Sequence, residues 1–177
     1  MNGGATFDGT RAYRYHLWRE WDPGLPAITF VMLNPSTAEA ARDDPTIRRC
    51  LGFARSWGYG RLEVVNLFAF RAASPRELFA AADPLGPENS RWLNQATARR
   101  GHLLLAWGNH GARAPGETVR ELAAGEASCL GVTRLRQPRH PLYVPADVAP
   151  LCIASALRAP STPGSLVQVV APVAGTA

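Results

Sequence analysis

Apolar and polar positions along the chain fall into two periods. From Arg11 to Trp21 they alternate, with Tyr13, Tyr15 and Leu17 on one side, which predicts an edge strand or hairpin arm. Asp22-Pro23-Gly24 then signals a turn. The run from Ala27 to Leu33 is apolar and predicts a core strand. Leu62 to Phe70 predicts a second strand, apolar enough to be buried on both faces. Two more strands are expected at His102 to Trp107 and Ser128 to Thr133. Helical spacing marks Pro45 to about Ser56, with Ile47, Leu51 and Ala54 inward, then Ser74-Pro75 through Ala82. It marks Glu88 to Arg100, with Leu93 and Ala96 inward, then Glu117 to Ala124 and about Pro145 to Leu157. Pro45 suits a first helical turn, and Gly58 and Gly60 suit the far end of the same helix.

Strands that alternate with helices pair in parallel through right-handed crossovers. The expected fold is therefore a three-layer α/β/α sandwich around a four-stranded, mainly parallel sheet, with an N-terminal edge strand or hairpin. Residues 1–157 are expected to form one α/β domain. Residues 158–177, rich in Pro, Ser, Thr, Gly and small apolar residues without periodicity, are expected to be a disordered tail.

Composition narrows this picture only a little. A chain of 177 residues, 46% hydrophobic, can bury one sizeable core. No apolar run approaches the ~20 residues that span a bilayer, and Met1-Asn2-Gly3-Gly4 lacks the pattern of a signal peptide. A cytoplasmic monomer without a membrane partner is expected. Cys50, Cys129 and Cys152 are too widely spaced for a disulfide framework or a close metal pair, and they read as buried core thiols. No cofactor or resident metal is expected. The formal charge is +5, and all 19 basic residues are arginine. Coding bias accounts for that choice; so does a surface that contacts phosphates, which guanidinium groups bind bidentately.

Three loops should emerge together at the carboxyl edge of such a sheet, where open α/β folds bind ligands. Asn34-Pro35-Ser36 ends the first strand, because Pro35 fixes its φ and has no N–H to donate. Trp107-Gly108-Asn109-His110 follows the third strand, and Arg139-His140-Pro141-Leu142 follows the fourth. His140 is the strongest candidate for chemistry, since imidazole donates to an oxyanion or exchanges a proton near neutral pH. His110 is weaker, and His16 and His102 read as structural residues within strands. Trp107 reads as packing before base stacking. Asp43 and Asp44 either cap the following helix or position a water or metal. Arg48 and Arg49 form a solvated helical face or touch phosphate. Asn66 either ties down a loop or reads a ligand edge, since a buried amide needs partners. Arg71 either reaches a phosphate or makes a surface ion pair.

Five segments in order carry a resemblance. They are 32–38 (Met-Leu-Asn-Pro-Ser-Thr-Ala), 43–50 (Asp-Asp-Pro-Thr-Ile-Arg-Arg-Cys), 65–69 (Val-Asn-Leu-Phe-Ala), Trp107-Gly108 and 139–143 (Arg-His-Pro-Leu-Tyr). Together they resemble the family catalogued as domain of unknown function 1643, from about Arg11 to Leu157. More distantly, Leu33-Asn34-Pro35 is similar to the first motif of the mismatch-specific branch of the uracil-DNA glycosylase superfamily. The strand at 103–108 resembles the one before that superfamily's last motif, and His140-Pro141-Leu142 resembles the start of its His-Pro-Ser-Pro-Leu motif. Asn66 with Arg71 and Pro75 loosely resembles its strand-end Asn followed by Arg-Pro-Pro. Ser36 stands where that superfamily has glycine, and the His-Pro motif is shortened, so Leu142 or Tyr143 would have to supply a DNA-inserting wedge.

This distant resemblance implies action on a nucleobase or nucleotide, with hydrolysis of an N-glycosidic bond in DNA as the reaction. Asn34 would orient water and His140 would donate to the departing base. Ser36, Arg71 and Arg139 would hold phosphate, Asn66 would read the base, and Pro35, Trp107, Gly108 and Leu142 would complete the substrate site. Two alternatives remain: a non-catalytic nucleotide- or DNA-binding module, and an enzyme of modified-base metabolism in which Asp43 and Asp44 hold a metal. All three require Asn34 and His140 to meet in one cleft.

Overall fold

Strict alternation in the central strands sends successive side chains to opposite faces, and both faces are covered. The computed structural model describes residues 1–36, 43–98 and 101–159. Strand β3 (Ala27–Met32) pairs in parallel with β4 (Arg61–Asn66) on one side and with β5 (His102–Leu105) on the other; β5 pairs in parallel with β6 (Ala127–Cys129). These four are the strands expected from the sequence. The sheet is larger, however, with seven strands in the order β1-β2-β4-β3-β5-β6-β7. Strands β1 (Asn2–Phe7) and β2 (Arg14–Glu20) form an antiparallel hairpin whose second arm pairs antiparallel with β4. Strand β7 (Leu151–Cys152) pairs antiparallel with β6 at the other edge. The four-stranded, mainly parallel sheet expected from the alternation of strands and helices is thus corrected to a seven-stranded mixed sheet, and a four-stranded parallel sandwich like the glycosylase fold is not seen.

One layer is α1 (Pro45–Ser56), whose Ile47, Cys50, Leu51, Phe53 and Ala54 pack on Phe30, Met32, Leu62 and Val64. The other layer comprises α2 (Pro75–Ala80), α3 (Asn89–Ala98), α4 (Gly116–Ala124) and α5 (Ile153–Arg158). Their Leu78, Leu93, Leu122 and Ile153 pack on Val31, Val65, Leu105 and Cys129. The odd and even residues of β3 therefore belong to different cores, as a doubly covered strand requires.

Three expectations change. The segment at 11–21 is a hairpin arm, one of the two expectations, but not an edge strand: β1 takes the edge, and Arg14, His16 and Arg19 are buried along with Tyr15 and Leu17. The helix expected from Pro145 to Leu157 is absent as such. Residues 145–150 are irregular, and β7 precedes the single-turn-and-a-half α5, because Pro150 has no N–H to continue a helix. Strand β6 stops at Cys129, and Gly131 turns the chain at φ 93°. Cys50 and Cys129 are buried, whereas Cys152 is half-buried. Arg99, Arg100 and nearly all of the expected tail lie outside the described residues, as do Thr37 and Ala38 of the first motif. No helix among the described residues is long and apolar enough to cross a membrane.

Candidate functional site

From β3 the chain crosses to β4 on one side and later returns to β5 on the other, so β3 marks the point where strand order reverses. Ligands of open α/β sheets bind outside the carboxyl ends of the strands at such a point. A cavity of ≈ 730 Å³ opens there. Its lining combines Asn34 and Ser36 after β3, Asn66 at the end of β4, Trp107, Gly108 and His110 after β5, and Arg139 and His140 in the last loop. Asn34 and His140 therefore face one cleft. Met32, Leu33, Ile47 and Val64 supply apolar wall. The volume lies within the range of ordinary ligand pockets, about 300–1,000 Å³.

Asn34 is anchored by its own amide. Its Nδ2 donates to the Pro35 carbonyl at 2.9 Å and to the Ala72 carbonyl at 3.0 Å, which leaves Oδ1 as an acceptor. Pro35 is buried and holds this geometry through its carbonyl, which also accepts from the Ala72 N–H at 3.2 Å. Asp44 caps α1: one carboxylate oxygen accepts from the Ile47 N–H at 2.7 Å and the other from the Ser36 hydroxyl at 2.6 Å. Asp43 does not line the cavity. Its Oδ1 accepts from Arg19 Nε at 2.9 Å and lies 2.8 Å from Arg19 Nη2. Among the described residues no group of three or more His, Cys, Asp or Glu is arranged to hold a metal ion.

His140 is half-buried, and its Nδ1 accepts from the Leu142 N–H at 3.3 Å. In the neutral ring that contact places the proton on Nε2 and makes it a donor. Burial holds the His140 pKa below its ordinary value, with Asp44 pulling the other way. Gly108 secures this loop: its N–H donates to the Pro138 carbonyl at 2.8 Å, and its φ of 73° is one that favours glycine. Trp107, 2% exposed, donates from Nε1 to Gln137 Oε1 at 2.9 Å, so its indole braces the His140 loop while lining the cavity. Gly111 packs against that indole, where an added Cβ would lie 1.9 Å from the Trp107 ring.

Asn66 is 2% exposed, and its Nδ2 has no hydrogen-bond partner among the described residues. Its backbone carbonyl accepts from Asn89 Nδ2 at 3.1 Å, so Asn89 ties down the loop and frees the Asn66 side chain for the cavity. Arg139 and Arg134 are exposed at the mouth. Of the predicted substrate-site residues, Pro35, Arg71 and Leu142 lie outside the cavity lining. Arg71 donates to the Arg11 carbonyl at 2.9 Å and lies over the Phe7 ring, away from the cavity lining. Leu142 is 44% exposed and outside the lining, while its neighbour Tyr143 is 80% exposed and part of it.

Arg14 belongs to the lining and was missed by the sequence reading. Strand β2 runs antiparallel to β4, so its first residue reaches the carboxyl rim of the parallel strands. Arg14 is 3% exposed, and burial pulls its pKa down to about 10; Asp44 opposes that fall, and Arg71 and Arg19 add to it. An arginine between Tyr13 and Tyr15 in an alternating segment was the available signal, but it carries weight only once the strand is known to be interior.

No curated protein and no solved structure matches the chain. A family model does match residues 14–142, from Arg14 through the His140 loop, and the chain accordingly belongs to the family described as protein of unknown function (DUF1643).

Proposed function

We propose that the protein binds a nucleobase, within a nucleotide or a DNA strand, and hydrolyses its N-glycosidic bond. One observation carries the reading: three loops and β4 turn Asn34, Asn66 and His140 into a single cavity with apolar walls. Asn66 offers a buried amide, with one donor and one acceptor, to the edge of a planar heterocycle. Trp107, Met32 and Val64 supply apolar surface for its faces. Arg134 and Arg139 at the mouth suit the phosphates that such a base brings with it.

In the reaction the C1′–N bond breaks and its electron pair stays on the base. Positive charge grows on the sugar. A water accepted by Asn34 Oδ1 adds to C1′, and its proton ends on the released base. His140, with its proton on Nε2, donates to the base oxygen as that oxygen becomes anionic. A preorganised donor of this kind contributes ~3 kcal/mol, or about a hundredfold in rate.

The test is release of free base from uracil- or modified-base-containing DNA and from nucleotides. His140→Ala and Asn34→Ala are each expected to slow release by about 100-fold while substrate still binds. Release that is absent for every substrate, or unchanged in both variants, overturns the hydrolytic reading. The exposed arginines at the mouth favour one second reading, a binding module without hydrolysis. It would show salt-sensitive DNA binding and no base release.

A further inference from the structure

Among the described residues, buried Arg14 makes no direct contact with a carboxylate. Its Nε is buried with no hydrogen-bond partner among the described residues, and the residue as a whole is 3% exposed. The charges around it are already engaged. Asp44 attracts it from the start of α1 but is bonded to Ser36 and the Ile47 N–H. Arg19 and Arg71 stand near and repel it; Arg19 is held by Asp43, and Arg71 by the Arg11 carbonyl. An arginine remains charged at neutral pH even in this setting. A buried charge left without a partner is costly, and a structure that keeps one beside a cavity has placed it where a ligand can compensate it.

We infer that Arg14 is the counter-charge for the heterocycle itself, so that the cavity selects bases with an ionisable lactam edge, a carbonyl beside an acidic ring N–H, over amino-substituted ones. The inference rests on the nucleobase reading above and deepens it. Asn66 supplies a neutral donor and acceptor for the same edge, and Arg14 supplies the positive charge. In the cleavage step negative charge passes to the base when the C1′–N bond breaks, so a cation that meets the base edge gains strength as the bond opens. An amino group in place of the carbonyl would direct its own N–H toward the guanidinium and repel it.

The probe is 5-fluorouracil, whose fluorine resonance reports ionisation of the ring. Other groups that face the ligand are Asp44 from α1 and His110 after β5. Arg134, Arg139, His140 and Tyr143 face it from the last loop. Fluorine NMR titrations against pH are run on the free ligand and on ligand saturated with protein. In the wild type the bound ring is expected to ionise about one pH unit below the free ligand, meaning that the anion binds about tenfold tighter than the neutral form. Arg14→Gln should return the bound value to within about 0.3 unit of free, and Arg120→Gln, at an exposed arginine of α4 outside the lining, should leave the wild-type displacement in place. A bound value at or above the free one overturns the inference, and the wild-type titration alone decides this if Arg14→Gln does not fold. Retention of the full displacement in Arg14→Gln, or its loss in Arg120→Gln, also overturns it. If 5-fluorouracil binds with an unshifted titration, only the role of Arg14 falls. If neither it nor uracil binds, the nucleobase reading falls as well.

Discussion

His140 shows how one backbone contact can decide what a side chain does. The Leu142 N–H occupies Nδ1, so the neutral ring presents Nε2–H to the cavity, and burial favours that neutral ring by lowering its pKa. The same shift has a consequence for stability. A histidine whose native pKa is depressed leaves the unfolded chain binding more protons as pH falls, so the native state loses ground below the unfolded value of about 6.5. His102 shares the direction: burial lowers its pKa too, and its Nε2 lies 2.7 Å from Ser128 Oγ. The urea midpoint is therefore expected to be higher at pH 7.5 than at pH 5.5, and His140→Gln should narrow that gap without removing it. A midpoint that rises on acidification would contradict the assignment. Asp44 is the group that holds the His140 value up, so Asp44→Asn should move the His140 ring titration, followed by NMR, to lower pH.

At the scale of elements, α1 was legible from its ends and its face. Pro45 opens it, Asp44 caps it, and Ile47, Leu51 and Ala54 are buried as their spacing predicts, with Cys50 and Phe53 widening the stripe. The cap carries measurable stability. Asp44→Ala should cost about 1–2 kcal/mol in urea unfolding, whereas Asp44→Asn, which also caps well, should cost only a few tenths. Equal losses in the two variants would show that the charge, not the cap, matters. Strands β3 and β4 were legible as apolar runs; the first stops at Asn34-Pro35 as expected, whereas β4 ends at Asn66 although its apolar run continues to Phe70. What escaped was the long-range context. The alternation in Tyr13 to Glu20 allows a hairpin arm, but nothing local says that the arm lies between two strands and buries Arg14, His16 and Arg19. Val148, Leu151, Ala154 and Leu157 form a helical stripe, yet Pro150 interrupts it: Leu151 pairs with β6, and only Ile153–Arg158 is helical. The candidate site followed the same division. Asn34, Asn66 and His140 stand on loops and strand ends that local signals mark, whereas Arg14 depends on a pairing between segments far apart in the chain.

Across the whole molecule the cavity depends on two substructures that the sheet joins edge to edge: the parallel core, which supplies the loops, and the hairpin, which supplies Arg14. A clamp across them is the Arg19–Asp43 pair. Arg19 lies on β2, and Asp43 immediately precedes the Asp44 cap of α1, so their 2.8 Å contact fixes the hairpin against the layer that carries one wall of the site. Its side chains are 6% and 18% exposed, which places the pair mostly out of water. Removing one partner of a buried pair strands the other charge, and such losses run to about 3 kcal/mol or more. Arg19→Met, which keeps the packing of the aliphatic stem, should therefore destabilise the protein by about 2–3 kcal/mol, toward the lower end because Asp43 retains some contact with water. Adding Asp43→Asn should recover more than half of that loss, because the stranded charge is then gone. The double variant should bind the ligand of the cavity more weakly than the wild type even where its stability is restored, since the neutral pair no longer pins β2 to the start of α1. Denaturation and ligand titration on the wild type, the single variant and the double variant measure both effects. Full recovery of binding together with stability would show that the hairpin register alone positions Arg14 and that the ion pair serves stability only.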